Sequence, residues 1–493
     1  MIRPVSDYLK SVADLSRHVG IESKFDFRFS GITSDSRTVE IGDLFVALPG
    51  SKGHGANYVD EVAASGAVGV ITDKAGAEII GRKLPVIILS DPRRMLGDIC
   101  SWFYGSPSNS LNVVGITGTN GKTTTTIILN QILKIAGKST GLIGTIGIEI
   151  GPEKLVASYT TPEASELQSL LATMNERHIS HVSMEVSSHA LEAKRVIGTK
   201  FAVVGFTNLT QDHLDFHGDM ASYFAAKSKL FANEYSDLGF VNIDDAYGRE
   251  LFNNSQIPVI SLARENTSAQ WHFERIESTS RGYAVAIRGT GGILIEGDFN
   301  LIGEHNLDNL LMAVAIASQF EVDPLVIGNS LSLVQAADGR LESIDIGQKF
   351  MALVDYAHTP DAVTRTLATL RKSVSGRLIA VLGCGGDRDK TKRPIMGQEL
   401  VAGSDVSIFT SDNPRSENPE SILKDMVSGL TLGENSSVVV DRREAIALAV
   451  ANALPGDCVV ILSKGHETGQ EISGVKHVFD DRIELARAIE ELA

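Results

Sequence analysis

The sequence has little of the chemistry that holds disulfide-rich or cysteine-metal folds together. Its 493 residues include only three cysteines, Cys100, Cys384 and Cys458, which are far apart and odd in number. This pattern excludes a disulfide framework, and the cysteines have no metal-ligand spacing. Long apolar runs are also missing, since none approaches the roughly 20 residues that span a bilayer, and the start lacks the apolar segment of a signal peptide. We therefore expect no membrane insertion and a cytoplasmic protein.

Basic residues are outnumbered by acidic ones, 45 Lys and Arg against 61 Asp and Glu, and the formal net charge is −16. This balance argues against a nucleic-acid-binding surface, which needs a basic face. It is compatible with small anionic substrates, which need only local basic groups. Hydrophobic residues make up 43% of the chain and charged residues 22%, which is the composition of a folded globular protein.

One glycine-rich stretch indicates a phosphate-binding loop. Residues 113–133, VVGITGTNGKTTTTIILNQIL, predict a strand, a tight turn and a helix. Gly118 and Gly121 would let backbone N–H groups approach a phosphate, Lys122 adds a positive charge, and Thr123 offers a hydroxyl suited to Mg²⁺. The match to the GxxxxGK[ST] pattern is imperfect, because its first glycine is displaced by one position. The alternative is a turn that only caps a helix, but the strand before it and the helix after it favour nucleotide binding.

The order of segments predicts an α/β fold, and the length predicts about three domains. We predict a small N-terminal α/β domain at 1–105, a central P-loop ATPase-like domain with a mainly parallel sheet at 106–337, and a C-terminal Rossmann-like α/β domain at 338–493. Between about 270 and 299 the pattern changes to alternating strands and glycine turns. In the third domain, apolar segments run into polar tips that would converge at one sheet edge.

A metal ion beside the loop would need further ligands. Glu185 ends the apolar segment HVSMEV, and the ends of such strands open onto the nucleotide site. His213 in NLTQDHLDFHGD is a second candidate. Taken singly, Glu185 could be a solvated carboxylate and His213 a hydrogen-bonded loop histidine. The residues alone leave both alternatives open.

Eight short motifs occur in an order that resembles the Mur ligases, the ATP-dependent amino-acid ligases of bacterial peptidoglycan synthesis. They are GITGTNGKTTT, TTPE, EVSSHAL, NLTQDHLDFHG, GEHNLDN, DGRLE, DYAHTPD and SKGHE. The resemblance covers essentially the whole chain. It implies that ATP phosphorylates the carboxylate of a nucleotide-linked dipeptide, and that the amine of an amino acid attacks the resulting acyl phosphate.

The resemblance also implies roles for individual residues. Thr123 and Glu185 would hold one Mg²⁺ and His213 a second. Lys227 would be carbamylated and would help to bind metal, although from the residues alone it reads as a solvated helix lysine. The implied catalytic residues are Lys122, Glu185, His213 and Lys227. ATP would be bound by Gly118, Thr119, Asn120, Gly121, Lys122, Thr123, Thr124, Asn306, Asn309 and Arg340.

Two residues of the third domain, Asp355 and His358, would reach the nucleotide once the domains close. Ion pairing between the domains is the alternative, especially for Asp355. The uridine diphosphate and sugar of UDP-MurNAc-L-Ala-D-Glu would contact the first two domains. The residues implied for this site are Ser36, Ser51, Lys52, Gly53, Thr160, Thr161, Ser187 and Arg195.

The segment SDNPRSENP at 411–419 resembles the form found in ligases that add meso-diaminopimelate rather than L-lysine. Diaminopimelate carries a second carboxylate, which the Arg415 guanidinium could bind bidentately. A turn with an exposed arginine is the alternative. Ser463 departs from the pattern, which commonly has glycine there, and Ala193 replaces a common glutamine. The implied amino-acid site comprises Arg388, Asp412, Asn413, Pro414, Arg415, Ser463 and Glu467.

Two other functions compete at this stage. One is another ligase of the same superfamily, such as the D-Ala-D-Ala-adding enzyme, the ligases that add the first amino acids, or folylpolyglutamate synthetase. The other is a P-loop switch or motor that hydrolyses ATP to move a macromolecular partner, which would leave the charged cluster of the third domain unexplained. We expect small-molecule substrates, no nucleic acid and a monomer.

Overall fold

The structure is a computed structural model that describes residues 2–50, 53–279, 282–336 and 339–492. Sheets form in three successive parts of the chain, and most of their strands are parallel with helices between them. The predicted α/β fold is therefore confirmed. The domain borders at 105/106 and 337/338 stay predictions.

The first part contains a small parallel sheet. Its elements are β1 (Lys10–Ser11), α1 (Val12–Val19), β2 (Arg28–Phe29), β3 (Gly31–Thr33), β4 (Asp43–Val46), α2 (Val59–Ala64), β5 (Gly69–Thr72), α3 (Lys74–Ile80), β6 (Val86–Ile88) and α4 (Pro92–Phe103). The sheet has the order β3-β4-β5-β6, and β1 pairs separately with β2. Strands β4 and β5 are buried on both faces, which explains their continuous apolar sequence.

The central part contains the largest sheet. Its strands are β7 (Asn112–Thr117), β8 (Thr140–Gly144), β9 (Gly147–Ile150), β10 (Glu153–Leu155), β11 (His181–Glu185), β12 (Val203–Phe206), β13 (Gly239–Asn242), β14 (Val259–Ala263), β15 (Trp271–Thr279), β16 (Gly282–Arg288) and β17 (Leu294–Phe299). Their order is β10-β9-β8-β11-β7-β12-β13-β14-β15-β16-β17. In this spatial order, the strands β8, β11, β7, β12, β13, β14 and β15 run parallel. The pairs at the two edges, which involve β9 and β10 on one side and β16 and β17 on the other, are antiparallel. The change of pattern expected after residue 270 corresponds to the meander β15-β16-β17.

Helices cover both faces of this sheet. They are α5 (Lys122–Ile135), α6 (Ala164–Glu176), α7 (Ser188–Glu192), α8 (Leu214–His217), α9 (Met220–Ser228), α10 (Ala246–Asn254), α11 (Glu304–Gln319) and α12 (Pro324–Ser330). Helix α11 is rich in Leu, Ala, Ile and Val and is buried along most of its length, because it packs between α5 and the sheet. That packing brings the start of α11 beside the start of α5.

The third part contains a six-stranded sheet, which is smaller than the sheet of the central part. Its elements are β18 (Glu342–Ser343), β19 (Met351–Val354), α13 (Pro360–Ser373), β20 (Leu378–Cys384), α14 (Lys392–Gly403), β21 (Val406–Ser411), α15 (Pro419–Met426), β22 (Ser436–Val438), α16 (Arg442–Ala451), β23 (Cys458–Ile461), β24 (Gly469–Ile472), β25 (Val475–Val478) and α17 (Asp481–Leu492). The sheet order is β18-β19-β23-β20-β21-β22, parallel except for β18, and β24 pairs with β25.

The two larger sheets direct the carboxyl ends of their strands toward the same interface. One cavity there is lined by residues that follow β11 and β12 and by residues at the carboxyl ends of β19, β20, β21 and β23. Ligands of parallel sheets bind at the carboxyl ends of the strands. The fold therefore places the predicted phosphate loop and the polar tips of the third part on one interface. Among the described residues, no helix is both long and apolar enough to cross a bilayer.

Candidate active site

The phosphate loop joins β7 to α5, and two of its glycines are required by close contacts. Gly118 has φ of 145°, and a Cβ there would lie 1.9 Å from the Thr207 hydroxyl oxygen. Gly121 has φ of 86°, and its Cβ would lie 2.2 Å from Asn309 Oδ1. Both backbone angles disfavour residues with a side chain. The loop therefore depends on glycine at these two positions, as the phosphate-loop prediction requires.

Lys122 is the first residue of α5 and folds back over the loop. Its Nζ donates to the carbonyl oxygens of Gly118 (3.0 Å) and Thr119 (2.9 Å). Burial lowers the pKa of Lys122, while the nearby Glu185 carboxylate opposes that shift. The first N–H groups of a helix attract anions, and a lysine ammonium adds a mobile charge. This end of α5 is thus equipped to bind a phosphate.

The Glu185 carboxylate meets the phosphate loop at the end of β11. Its side chain is 1% exposed and accepts a hydrogen bond from Thr123 Oγ1 (2.9 Å) at Oε2. Thr145 donates to it twice, from its backbone N–H to Oε1 (2.8 Å) and from its hydroxyl to Oε2 (3.2 Å). A carboxylate and a hydroxyl beside a phosphate site are ligands that Mg²⁺ prefers. These donors fit Mg²⁺ when phosphate oxygens supply further ligands.

His213 and Lys227 lie on either side of Tyr223. The Tyr223 ring is 6.1 Å from the His213 ring and 4.5 Å from Lys227 Nζ. Burial lowers the pKa of His213 to about 3 against the opposing Asp212 carboxylate, so its imidazole is neutral and can bind a metal. Among the described residues, no group of three His, Cys, Asp or Glu side chains is arranged to hold a metal alone. A second ion would therefore need oxygen atoms from other sources.

Lys227 is buried rather than solvated. Its side chain is 1% exposed, and Nζ donates to the carbonyl oxygen of Gly118 at 2.6 Å. Burial, and secondarily the neighbouring charge of Lys122, places the pKa of Lys227 well below its usual value. The solvated-lysine alternative is therefore wrong. The structure puts this amine against the phosphate loop in a form that favours the neutral state.

Two asparagines of α11 face the cleft beside the loop. Asn309 Nδ2 donates to Asn306 Oδ1 (3.3 Å), and Thr125 Oγ1 donates to Asn309 Oδ1 (3.3 Å). Both asparagines line a cleft with Asn120, Gly121 and Thr124 of the loop and with Arg340 and Asp355 of the third part of the chain. Six of the residues predicted to contact ATP therefore line one cleft. The loop residues Gly118, Thr119, Lys122 and Thr123 do not line it.

The Asp355 carboxylate is held by its own part of the chain. Its Oδ2 accepts the N–H of Leu341 (2.8 Å), and its Oδ1 accepts the N–H of Ala357 (3.0 Å). The neighbouring Arg340 guanidinium lies 4.6 Å from the Tyr356 ring. These contacts fix the carboxylate among the residues that line the cleft.

A direct hydrogen bond connects the phosphate loop to the third part of the chain. Asn120 Nδ2 donates to Asp361 Oδ2 (3.0 Å) and to Thr210 Oγ1 (3.2 Å). Asp361 is in the first turn of α13 and also accepts from Arg365 Nε (3.0 Å). The position of α13 is thus coupled to the loop that would hold the phosphates.

The predicted amino-acid site forms one cavity of about 250 Å³ between the two larger sheets. Residues of the central part line one wall, among them His213 and Asp212. On the other wall, His358 lies close to the residues of the predicted amino-acid site. The members of that site that line the cavity are Arg388, Asp412, Asn413, Arg415, Ser463 and Glu467. Charged groups suited to a zwitterion therefore share one cavity with Asp212 and His213 of the central part.

Pro414 and Ser463 affect the cavity through the backbone. Pro414 does not line the cavity, and its carbonyl oxygen packs against Gly386, where a Cβ would lie 2.0 Å from it. Ser463 has φ of 90°, a conformation that favours glycine, and its buried Oγ has no hydrogen-bond partner. The expected departure from glycine is therefore a site of backbone strain.

Only some of the residues predicted to bind the nucleotide sugar are connected to one another by hydrogen bonds. Thr161 Oγ1 donates to the carbonyl oxygen of Glu185 (2.9 Å) and accepts from the N–H of Ser187 (3.1 Å), while Arg195 Nη1 donates to the carbonyl oxygen of Thr161 (3.0 Å). Thr160 joins this group through Thr145, with 3.1 Å between their hydroxyl oxygens. Ser36 lies in a short 3₁₀ turn, Gly53 lies in a loop, and Ser51 and Lys52 lie outside the described residues.

Comparison with known proteins agrees with this geometry. Three family profiles match in succession: "Mur ligase family, catalytic domain" at 28–104, "Mur ligase middle domain" at 116–317 and "Mur ligase, glutamate ligase domain" at 339–465. The chain is 44% identical to the UDP-N-acetylmuramoyl-L-alanyl-D-glutamate--2,6-diaminopimelate ligase of Streptomyces coelicolor, over 99% of this chain and 98% of that protein. The protein of the same name from Aquifex aeolicus is 42% identical, with 92% of each chain covered. The chain belongs to the Mur ligase family.

Solved structures of Mur ligases share the fold. A structure of a UDP-N-acetylmuramoyl-L-alanyl-D-glutamate--2,6-diaminopimelate ligase matches with a TM-score of 0.69 and 32% identity over 99% of each chain. MurF ligase from Thermotoga maritima in complex with ADP matches with a TM-score of 0.66 and 16% identity, over 94% of this chain and 98% of that one. The family membership makes this protein an ATP-dependent ligase.

Some residues of the Mur ligase site were not predicted from the sequence. Thr145, Lys464 and Asp361 each hold a predicted site residue through a side-chain hydrogen bond. Thr145 comes directly after β8, and that position was the available signal, whereas Lys464 lies inside the quoted motif SKGHE. Asp361 lies inside the quoted motif DYAHTPD, but a helix N-terminal aspartate is common and carries little information by itself.

Proposed function

We propose that this Mur ligase adds meso-diaminopimelate to UDP-MurNAc-L-Ala-D-Glu, forming the UDP-MurNAc-tripeptide with release of ADP and phosphate. The observation that carries the proposal is the cavity that Asp412, Asn413, Arg415 and Glu467 share with Asp212 and His213 of the central part. The names of the relatives at 42–44% identity support the same substrates. The product would serve peptidoglycan synthesis, and we place the enzyme in the cytoplasm, as a monomer, supporting cell-wall growth, cell shape and cell division.

The reaction has two steps. A carboxylate oxygen of the dipeptide attacks the γ-phosphorus of ATP, the bond to the bridging oxygen breaks, and ADP leaves. The amine nitrogen of the amino acid, having lost a proton from its ammonium form, then attacks the acyl carbon, phosphate leaves with the bonding electron pair, and the nitrogen loses a second proton to the departing phosphate as the amide forms. Lys122 and the N-terminus of α5 would stabilise charge on the transferred phosphoryl group, which is the main catalytic contribution that a protein can make to this step.

Two groups absent from the chain as translated would complete the site. Mg²⁺, when bound by Thr123 and Glu185 and at His213, would neutralise phosphate charge. A carbamate on Lys227 would supply the additional oxygen ligands. It forms when the neutral amine attacks CO₂ and releases one proton, and the burial of Lys227 favours that neutral amine.

The specificity would reside in Arg415. Its Nη1 donates to the carbonyl oxygen of Gly386 (2.7 Å), which orients the guanidinium at the cavity wall. Asp412 and Glu467 would bind the ammonium at the same end of diaminopimelate, and the arginine would bind the carboxylate. L-Lysine lacks that carboxylate, so its binding would not form the charge-assisted contact with the arginine.

The test is phosphate release by the purified protein with Mg-ATP and UDP-MurNAc-L-Ala-D-Glu, comparing meso-diaminopimelate with L-lysine and checking the product mass. We expect release and a tripeptide product only with diaminopimelate. A preference for lysine would refute the specificity but keep the ligase chemistry. Turnover that requires a macromolecule would favour the switch or motor alternative.

A further inference from the structure

Lys464 lies behind the amino-acid cavity and does not line it. It follows β23, and its side chain is 0% exposed. Its Nζ donates to Gly469 O (2.7 Å), Glu467 Oε2 (2.8 Å) and Asn413 Oδ1 (3.3 Å), and lies 3.7 Å from Asp412 Oδ1. An ammonium has three N–H donors, and three oxygens of the protein accept them. Lys464 therefore has no donor left for a ligand and can act only through the residues that it holds.

The contacts of Lys464 decide which atoms of the cavity wall remain available. Asn413 Nδ2 also donates to Glu467 Oε2 (2.7 Å), so both bonds end on the same oxygen and Oε1 is left for a ligand. Asp412 Oδ1 is buried and has no hydrogen-bond partner. A buried carboxylate oxygen without a partner is costly, and a donor from a bound molecule would satisfy it.

The charges around Lys464 explain why an ammonium is needed behind the wall. Asp412 and Glu467 are two acidic groups in one partly buried site, where neighbouring carboxylates repel each other. Lys464 balances one of the two negative charges. A substrate ammonium has the charge that complements these carboxylates, and Asp412 Oδ1 and Glu467 Oε1 remain available to accept its hydrogen bonds.

We propose that Lys464 is a positioning residue of the amino-acid site, which holds Asp412 and Glu467 in place as a pair that receives the substrate ammonium. This inference rests on the proposed function, because it requires the cavity to bind the incoming amino acid. It predicts that loss of Lys464 weakens use of the amino acid while ATP binding, which involves other residues, is retained.

The test compares Lys464→Met, which removes the charge at similar length, and Lys464→Gln, which keeps a hydrogen-bond donor. The control is Arg377→Met, since Arg377 pairs with Asp457 (2.7 Å) at the opposite end of the same sheet. Each purified variant is titrated with the amino acid that the parent enzyme uses, then with ATP, and its ADP affinity and unfolding temperature are measured. We expect the KM for the amino acid to rise at least about tenfold in both Lys464 variants, as expected when a buried charge pair is broken. The KM for ATP and the ADP affinity should stay within about twofold of the parent values, and Arg377→Met should change none of these constants by more than about twofold.

An unchanged KM for the amino acid in a folded Lys464 variant would overturn the proposal. So would an equal rise in the KM values of the amino acid and ATP, because that result indicates a general structural role. Failure of both variants to fold would assign Lys464 to stability and would overturn it as well. If the parent uses L-lysine instead of diaminopimelate, the proposed specificity fails, but the same titrations with L-lysine still test Lys464.

Discussion

Replacing Arg415 tests the specificity argument because its backbone is held independently of its side chain. Arg415 has φ of 52°, its N–H donates to Glu471 O (3.0 Å), and its carbonyl oxygen accepts from the N–H of Ser473 (2.7 Å). The side chain is 25% exposed and contributes the Nη1 bond to Gly386 O. Arg415→Ala should therefore remove the guanidinium while leaving the loop in place.

The expected loss follows from the charge-assisted contact that the guanidinium would make with the second carboxylate of diaminopimelate. Hydrogen bonds to charged groups contribute about 1.5–3 kcal/mol. At about 1.4 kcal/mol for each tenfold change, this corresponds to a fall of roughly 10- to 150-fold in kcat/KM for diaminopimelate. Arg415→Lys keeps the charge but loses the planar fork, so its loss should be intermediate.

The assay is initial-rate phosphate release at saturating ATP and UDP-MurNAc-dipeptide, with diaminopimelate or L-lysine varied. The KM for ATP should stay at the parent value, and any activity with lysine should fall less than that with diaminopimelate. Arg443→Ala is the matched control, because Arg443 pairs with Glu484 (2.7 Å) and does not line the cavity. Equal kcat/KM values for diaminopimelate in Arg415→Ala and the parent would refute the reasoning.

Three further changes test other parts of the site and fold. Lys227→Met should abolish most ligase activity. The parent protein should be heavier than its sequence mass by one CO₂ and should lose activity when bicarbonate is removed. An active parent without that added mass would contradict the carbamate. Ser463→Gly should raise the free energy of unfolding, measured in urea, by about 1–2 kcal/mol, because it removes strain at φ of 90° and a buried hydroxyl without a partner; equal or lower stability would count against the strain. Burial lowers the pKa of His181 to about 4. Below pH 6.5 the unfolded chain therefore binds a proton at this histidine more readily than the folded protein does. The free energy of unfolding should fall as the pH drops from 6.5 to 4, by at most about 3 kcal/mol. His181→Gln should remove that part of the pH dependence in urea unfolding at pH 7 and 5, and an unchanged pH dependence would show that the histidine is not responsible.

Local patterns determined much of this protein. The phosphate loop contains two glycines with positive φ, which is a local backbone property, and the alternation of apolar segments with helical patterns is a property of neighbouring residues. The change of pattern near residue 270 likewise marked the antiparallel meander. For these features, the interactions that decide the structure occur within a few residues.

The environment of each site residue depended on tertiary structure. Thr123 and Glu185 are 62 positions apart, and they meet because β7 and β11 are neighbours in the central sheet. Lys227 belongs to a helix whose local sequence suggests a solvated lysine, yet packing buries it against the phosphate loop. Lys464 depends on tertiary structure in part, since Glu467 and Gly469 follow it closely in the chain but its third acceptor, Asn413, is 51 positions away. Long-range pairing depends on the order of strands, and periodicity within a segment does not say which other segment that segment packs against.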